Sequence, residues 1–174
     1  IGTVATLLAK AFCAHVITTV GSEEKRQASL ALGADVSINY RDEDFVEQTR
    51  HATNGKGADV IVDLIAGDYL AKNYQAAAMD GRIVQIGTQN GVVKELNLMP
   101  LLLKRLTHTG STLRSRSVED KAGIAADLLQ KVWPLLDRGA LKPQIFKTYP
   151  LEQAAEAHAL MESSQHIGKI MLTL

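Results

Sequence analysis

Three junctions in this 174-residue chain place glycine where an apolar run meets a helical pattern: Ile1-Gly2, Val20-Gly21-Ser22 and Ile86-Gly87-Thr88. A helix that starts at such a point exposes unpaired backbone N–H groups and the positive end of its dipole, a setting suited to phosphate. Gly2 taken alone also reads as a packing glycine. The second junction carries more. Ser22 lies twenty positions beyond Gly2, near where a dinucleotide-binding turn presents its ribose-reading residue. An Asp or Glu there would accept a hydrogen bond from a ribose 2′-hydroxyl. This strand ends without a carboxylate, and Lys25 and Arg26 follow within one helical turn. A small hydroxyl beside a cation suits a 2′-phosphate through charge-assisted hydrogen bonds. The plainer alternative is that Ser22 only caps the helix and Lys25 is solvated, and Glu23 and Glu24 weigh against a strongly positive pocket unless they point along the helix. Tyr40 and Arg41 end the next strand, as surface residues or as a further pair of groups for the same phosphate.

Other chemistries find little support. The five histidines (His15, His51, His108, His158 and His166) show no metal-ligand spacing, and His158 on an Ala-rich helix reads as a partly buried core residue. The single Cys13 excludes an internal disulfide and reads as packed. No G-x-S-x-G elbow, P-loop or H-E-x-x-H pattern occurs. Nineteen basic and nineteen acidic residues give zero net charge, which argues against nucleic acid or a membrane surface as the main partner. No apolar run approaches the roughly 18 residues of a membrane span. With 46% hydrophobic side chains the expectation is a globular domain in the cytoplasm, without metal or membrane.

The elements that must position these residues follow from periodicity. A helix is expected over 4–13, with Val4, Leu7, Leu8, Ala11 and Phe12 on one stripe. Strand 14–20, helix 23–32 ended by Gly33, strand 36–40 and helix 42–52 come next. The run ADVIVDLI at 58–65 suits a strand covered on both faces. Helix 69–78, an Asp80-Gly81 turn, strand 82–86, helix 98–105 and strand 107–112 follow. A helix over 121–138 should break or kink at Pro134, and strands 144–149 and 169–174 flank helix 151–163. Strands that alternate with helices predict a doubly wound, parallel α/β sheet, with a softer boundary near 139–143. The chain opens inside a helix with no strand ahead of it, and so reads as part of a longer polypeptide.

Five stretches are familiar in this order: IGTVATLLAKAFCAHVITTVGSEEK (1–25), LGADVSINYRDEDF (32–45), LLLKRLTHTGSTLRSR (101–116), YPLEQAAEAHALMES (149–163) and HIGKIMLTL (166–174). On them the chain resembles the zinc-free, zeta-crystallin-like quinone oxidoreductase branch of the medium-chain dehydrogenase/reductase family. The resemblance implies an NADP-binding Rossmann domain over 1–140 that lacks its first strand, and a segment over 141–174 that returns into a GroES-like catalytic domain. It implies NADPH as hydride donor to a quinone or activated enone. Ile1, Gly2 and Thr3 would face the pyrophosphate. Ser22, Lys25 and Tyr40, with Gly21 beside them, would hold the 2′-phosphate. Ile65, Gly87 and Thr88 would border the nicotinamide half, with Leu113 and Arg114 in a nearby loop and Gly168-Lys169 approaching from the last strand. The family aligns donor and acceptor with little side-chain acid–base chemistry, so no catalytic residue is named.

The family also pairs subunits through sheet edges, which makes 107–112 the candidate edge of a homodimer. Competing readings are an enoyl-thioester or 2-alkene reductase, a non-catalytic crystallin or RNA-binding relative, and a methyltransferase-like domain. Since the expected substrate-side domain is absent from these residues, the 174-residue chain should turn over quinone poorly or not at all. A quinone-reduction assay on this chain at rates of a full-length enzyme would contradict that.

Overall fold

Parallel strands cannot be joined by tight turns, so each neighbouring pair needs a crossover connection. The computed structural model describes residues 1–174 and has seven strands, every pairing parallel, in the groups β1-β2, β3-β4-β5 and β6-β7. The chain divides into two compact units, Ile1–Arg41 with Ala125–Leu174, and Asp42–Ile124.

In the first unit, α1 (Gly2–Ala11) leads to β1 (Ile17–Val20), α2 (Glu23–Ala31) and β2 (Val36–Asn39). The β1 and β2 strands run in register from Ile17 opposite Val36 to Val20 opposite Asn39. Ser22 caps α2, accepting from the Lys25 N–H at 3.3 Å, while Gly33 leaves the helix at φ +101°, a conformation that costs glycine little. The expected apolar stripe of α1 is only half covered. Thr6 is its one buried residue, and Phe12 is 58% exposed. Cys13 is exposed in the turn that ends α1, at φ +62°, and is not packed.

The Asp35 carboxylate ties this region together. It accepts from Lys10 Nζ at 2.8 Å and from the Val16 N–H at 2.7 Å, joining α1 to the start of β1.

The second unit holds α3 (Phe45–Ala52), β3 (Ala58–Asp63), α4 (Tyr69–Ala76), β4 (Ala77–Gln85), α5 (Met99–Leu103) and β5 (Thr107–Gly110). Asp44 caps α3 through the N–H groups of Val46 and Glu47. Phe45, Val46 and Thr49 are buried along one side of it. The core gathers Leu70, Tyr74, Ala77, Ile83 and Leu106. Lys104 Nζ donates to the carbonyls of Tyr74, Gln75 and Ala77 at 2.8–3.1 Å, and so closes the C-terminal end of α4.

Two expectations fail here. The strand expected from residue 82 starts at Ala77 and contains the Asp80-Gly81 turn as an irregularity, with Asp80 at φ +58°. A β-bulge lets a strand absorb extra residues without ending. The apolar β3 is also not covered on both faces: it lies at the edge of its group, with Val60 and Val62 58% and 51% exposed.

The helix α6 (Val118–Lys131) spans the division between the units, and α7 (Trp133–Asp137) carries Pro134 in its first turn. The helical break is therefore at Val132, one residue before α7 begins. In the first unit, β6 (Ile145–Pro150), a 3-10 turn (Leu151–Gln153), α8 (Ala154–Glu162) and β7 (Lys169–Thr173) complete the chain. Because successive helical residues are about 100° apart, α8 turns Ala157 inward and leaves His158 exposed, against the expected core position.

The Lys10 ammonium and the Val16 N–H hold the Asp35 carboxyl below its ordinary pKa. A carboxylate with a lowered folded-state pKa contributes stability above the unfolded-state value, and this is lost as pH falls through the folded value. Asp35→Asn should therefore flatten the acid limb of a plot of urea midpoint against pH and change the chain least at acid pH.

Candidate functional site

A cavity of about 270 Å³ opens in the first unit at the start of α1, lined by Ile1, Gly2, Thr3, Lys25, His166 and Gly168, among others. Its floor is polar: Thr18 Oγ1 and Ser29 Oγ are hydrogen-bonded at 2.7 Å between β1 and α2. Lys25 donates from Nζ to the Ser164 carbonyl at 2.6 Å, which anchors the loop before β7 to α2. That partner is a neutral carbonyl, so the ammonium charge is available to an anion. Lys25 thus brings a positive charge to the cavity at the N-terminal end of α1, where the helix dipole has the same sign.

Gly168 brings the last strand to this cavity. It has φ +110°, and a Cβ there would overlap the Gln144 carbonyl oxygen. Only glycine permits both the conformation and the approach. The Lys169 N–H then donates to that same carbonyl at 2.7 Å, fixing the start of β7 beside β6. One group in the cavity wall has no partner: His166 Nδ1 is buried without a hydrogen bond.

At the ends of β1 and β2, Gly21 lets Tyr40 and Arg41 close in. A Cβ on Gly21 would stand 2.7 Å from Tyr40 Oη and 3.5 Å from Arg41 Nε. Glu23 points along its own helix, accepting from Gln27 Nε2 at 2.6 Å with Arg26 at 3.9 Å. Its charge is therefore engaged on α2.

In the second unit, the carboxylate of Asp63 organises the end of β3. It accepts from the N–H groups of Ile65 and Ala66 at 2.6 and 3.0 Å and from Asn73 Nδ2 at 2.9 Å. Gln85 Nε2 donates to the carbonyls of Asp63 and Gly87, and the Asn90 N–H to that of Ile65. At Gly87 a Cβ would lie 2.9 Å from the Leu64 carbonyl, so the loops after β3 and β4 pack backbone to backbone.

The candidate residues therefore fall into groups. Ile1, Gly2, Thr3, Lys25 and Gly168 share the cavity, with Lys169 beside Ile1. Gly21, Ser22 and Tyr40 form the adjoining strand ends. Ile65, Gly87 and Thr88 belong to the loop cluster of the second unit. Leu113 and Arg114 stand in an exposed loop whose carbonyls accept from Arg116 N–H and Lys121 Nζ. Sequence reading passed over His166 and Asp63: a lone histidine outside ligand spacing and an acid inside an apolar strand carry no pattern of their own.

The arrangement is that of a Rossmann-like cofactor domain: parallel strands, glycine at their carboxyl ends and a basic cavity at a helix N-terminus. The comparisons agree. Residues 32–172 match the family described as zinc-binding dehydrogenase. A quinone oxidoreductase of Lama guanicoe is 31% identical over 175 residues, covering 100% of this chain and 51% of the relative. The crystal structure of an NAD-dependent alcohol dehydrogenase superposes with TM-score 0.86 at 35% identity, over 99% of this chain and 47% of that one. The structure of Escherichia coli quinone oxidoreductase complexed with NADPH gives 0.82 at 30%, over 99% and 53%.

The chain belongs to the zinc-binding dehydrogenase family, in the medium-chain dehydrogenase/reductase superfamily, and is quinone oxidoreductase-like. It spans about half the length of the curated relatives it matches. Within these residues no group of three or more His, Cys, Asp or Glu side chains is placed to hold a metal. The residues do fit a nucleotide, through the orphaned His166 Nδ1 and the glycine-opened strand end. No helix is long and apolar enough to cross a membrane.

Gly168→Ala should shift the urea midpoint by the equivalent of about 1–3 kcal/mol, the usual cost of a strained non-glycine conformation. Gly2→Ala, where a Cβ meets nothing within 4 Å, serves as the control and should shift it little.

Proposed function

We propose that this chain is the nucleotide-binding part of an NADPH-dependent quinone oxidoreductase of the zinc-free, zeta-crystallin-like branch. One observation carries the reading: β1 ends in Val20-Gly21-Ser22 with no carboxylate, and Lys25, Tyr40 and Arg41 stand around that end. A ribose 2′-hydroxyl there would find no acidic acceptor, whereas a 2′-phosphate would find a cation and hydroxyl donors. In this reading Ser22, Lys25 and Tyr40 hold the 2′-phosphate, with Gly21 giving access. Ile1, Gly2, Thr3, Gly168 and Lys169 surround the pyrophosphate. Ile65, Gly87, Thr88, Leu113 and Arg114 border the nicotinamide half.

The bound NADPH would supply hydride, and these residues bind and orient it. A quinone and an enone both present an electron-poor carbon conjugated to a carbonyl, so either can accept hydride. Quinone is the preferred acceptor because several curated relatives of similar sequence are quinone oxidoreductases, while a 2-haloacrylate reductase at 33% identity supports the enone.

Residues 1–140 would form the cofactor domain and 141–174 the return toward a catalytic domain. A cytoplasmic homodimer through sheet edges completes the reading. The exposed β5, last in the order β3-β4-β5, offers the edge.

The solved structure of an NAD-dependent relative supports the competing cofactor, and one titration decides. Wild-type chain should bind NADPH about ten- to a hundredfold tighter than NADH, as expected when charge-assisted hydrogen bonds hold the extra phosphate. The double variant Ser22→Asp/Lys25→Ala should lose that preference. Equal wild-type affinities for the two coenzymes would defeat the assignment.

A further inference from the structure

We propose that His166 is a phosphate-contacting residue of the nucleotide site, its Nδ1–H donating to a phosphate oxygen. The inference rests on the reading of this cavity as a nucleotide site but not on which coenzyme it prefers. His166 stands in the wall of the 270 Å³ cavity together with Thr3 at the start of α1 and Lys25 on α2. Its Nδ1 is buried with no hydrogen-bond partner. A buried polar atom without a partner costs the free protein stability, which a bound acceptor restores when the partly exposed imidazole turns Nδ1 toward it.

The acceptor the surroundings favour is an anion. Lys25 lends its charge while bound to the neutral Ser164 carbonyl, and the N-terminal end of α1 adds a positive dipole. Neutral imidazole carries one N–H, so a proton on Nδ1 suits an oxyanion without any further charge on the protein. The loop that carries His166 is itself held. Lys25 fixes Ser164 on one side, and Gly168, which no other residue can replace without overlap on Gln144, fixes the other. His166 therefore lies between two anchors, Ser164 and Gly168, that are four residues apart.

The phosphate could be the 2′-phosphate or the diphosphate of the nucleotide, since Lys25 lies toward one and Thr3 toward the other. Calorimetric titration of the 174-residue chain with 2′,5′-ADP, 5′-ADP and adenosine separates them. His166→Leu should weaken phosphate-bearing ligands roughly ten- to a hundredfold, the range for a hydrogen bond to a charged group. It should leave adenosine unchanged and should not lower the melting temperature. His166→Asn, which keeps an N–H donor, should recover part of the loss.

A loss confined to 2′,5′-ADP supports the contact and assigns it to the 2′-phosphate; an equal loss for both ligands, or a loss confined to 5′-ADP, supports it and assigns it to the 5′-phosphate side. Unchanged affinities in His166→Leu, or no saturable binding of either phosphate-bearing ligand by wild type, overturn it. Wild type binding 5′-ADP as tightly as 2′,5′-ADP, with both weakened in His166→Leu, would remove the NADPH preference and leave this contact standing.

Discussion

The first unit is organised around one hydrogen bond. Lys25 on α2 gives its ammonium to the carbonyl of Ser164 and so binds two segments 139 residues apart in the chain. An exposed salt bridge in its place would have cancelled the charge and contributed little stability. A carbonyl partner orients the ammonium without neutralising it. That bond helps to hold the loop carrying His166, while the pairing of β6 with β7 positions β7. Gly168 completes the restraint from the other side, through a backbone conformation rather than a side chain.

Much of this was legible in residue order. The alternation of strands and helices, the Ser22 cap, the left-handed Gly33 and the break before Pro134 each rest on local rules, and the structure shows each of them. Burial was less legible because it depends on what covers a surface. The β-branched β3 has the composition of a covered strand and lies at an edge. The apolar stripe of α1 is half covered, Cys13 faces out at a helix end, and His158 misses the interior by one helical step.

The site divides in the same way. Gly2, Gly21, Ser22 and Lys25 announce themselves through spacing, since a helix start and the strand ahead of it are local. His166 and Asp63 do not. The first matters because Gly168 and Lys25 fix its loop from distant positions, and the second because its two carboxylate oxygens hold Ile65, Ala66 and Asn73 at once. Groups whose role is created by tertiary placement leave no periodic trace.

The edge position of β3 has a consequence for handling the protein. Its outer backbone donors and acceptors have no strand beside them, and Val60 and Val62 lie open on the same short segment. No proline interrupts the strand and no lysine lies within it, so it lacks two of the usual guards against edge-to-edge pairing. A strand from elsewhere in a longer polypeptide would have there a row of groups to pair with, so the colloidal behaviour of the 174-residue chain reports on an edge left open more than on the fold itself.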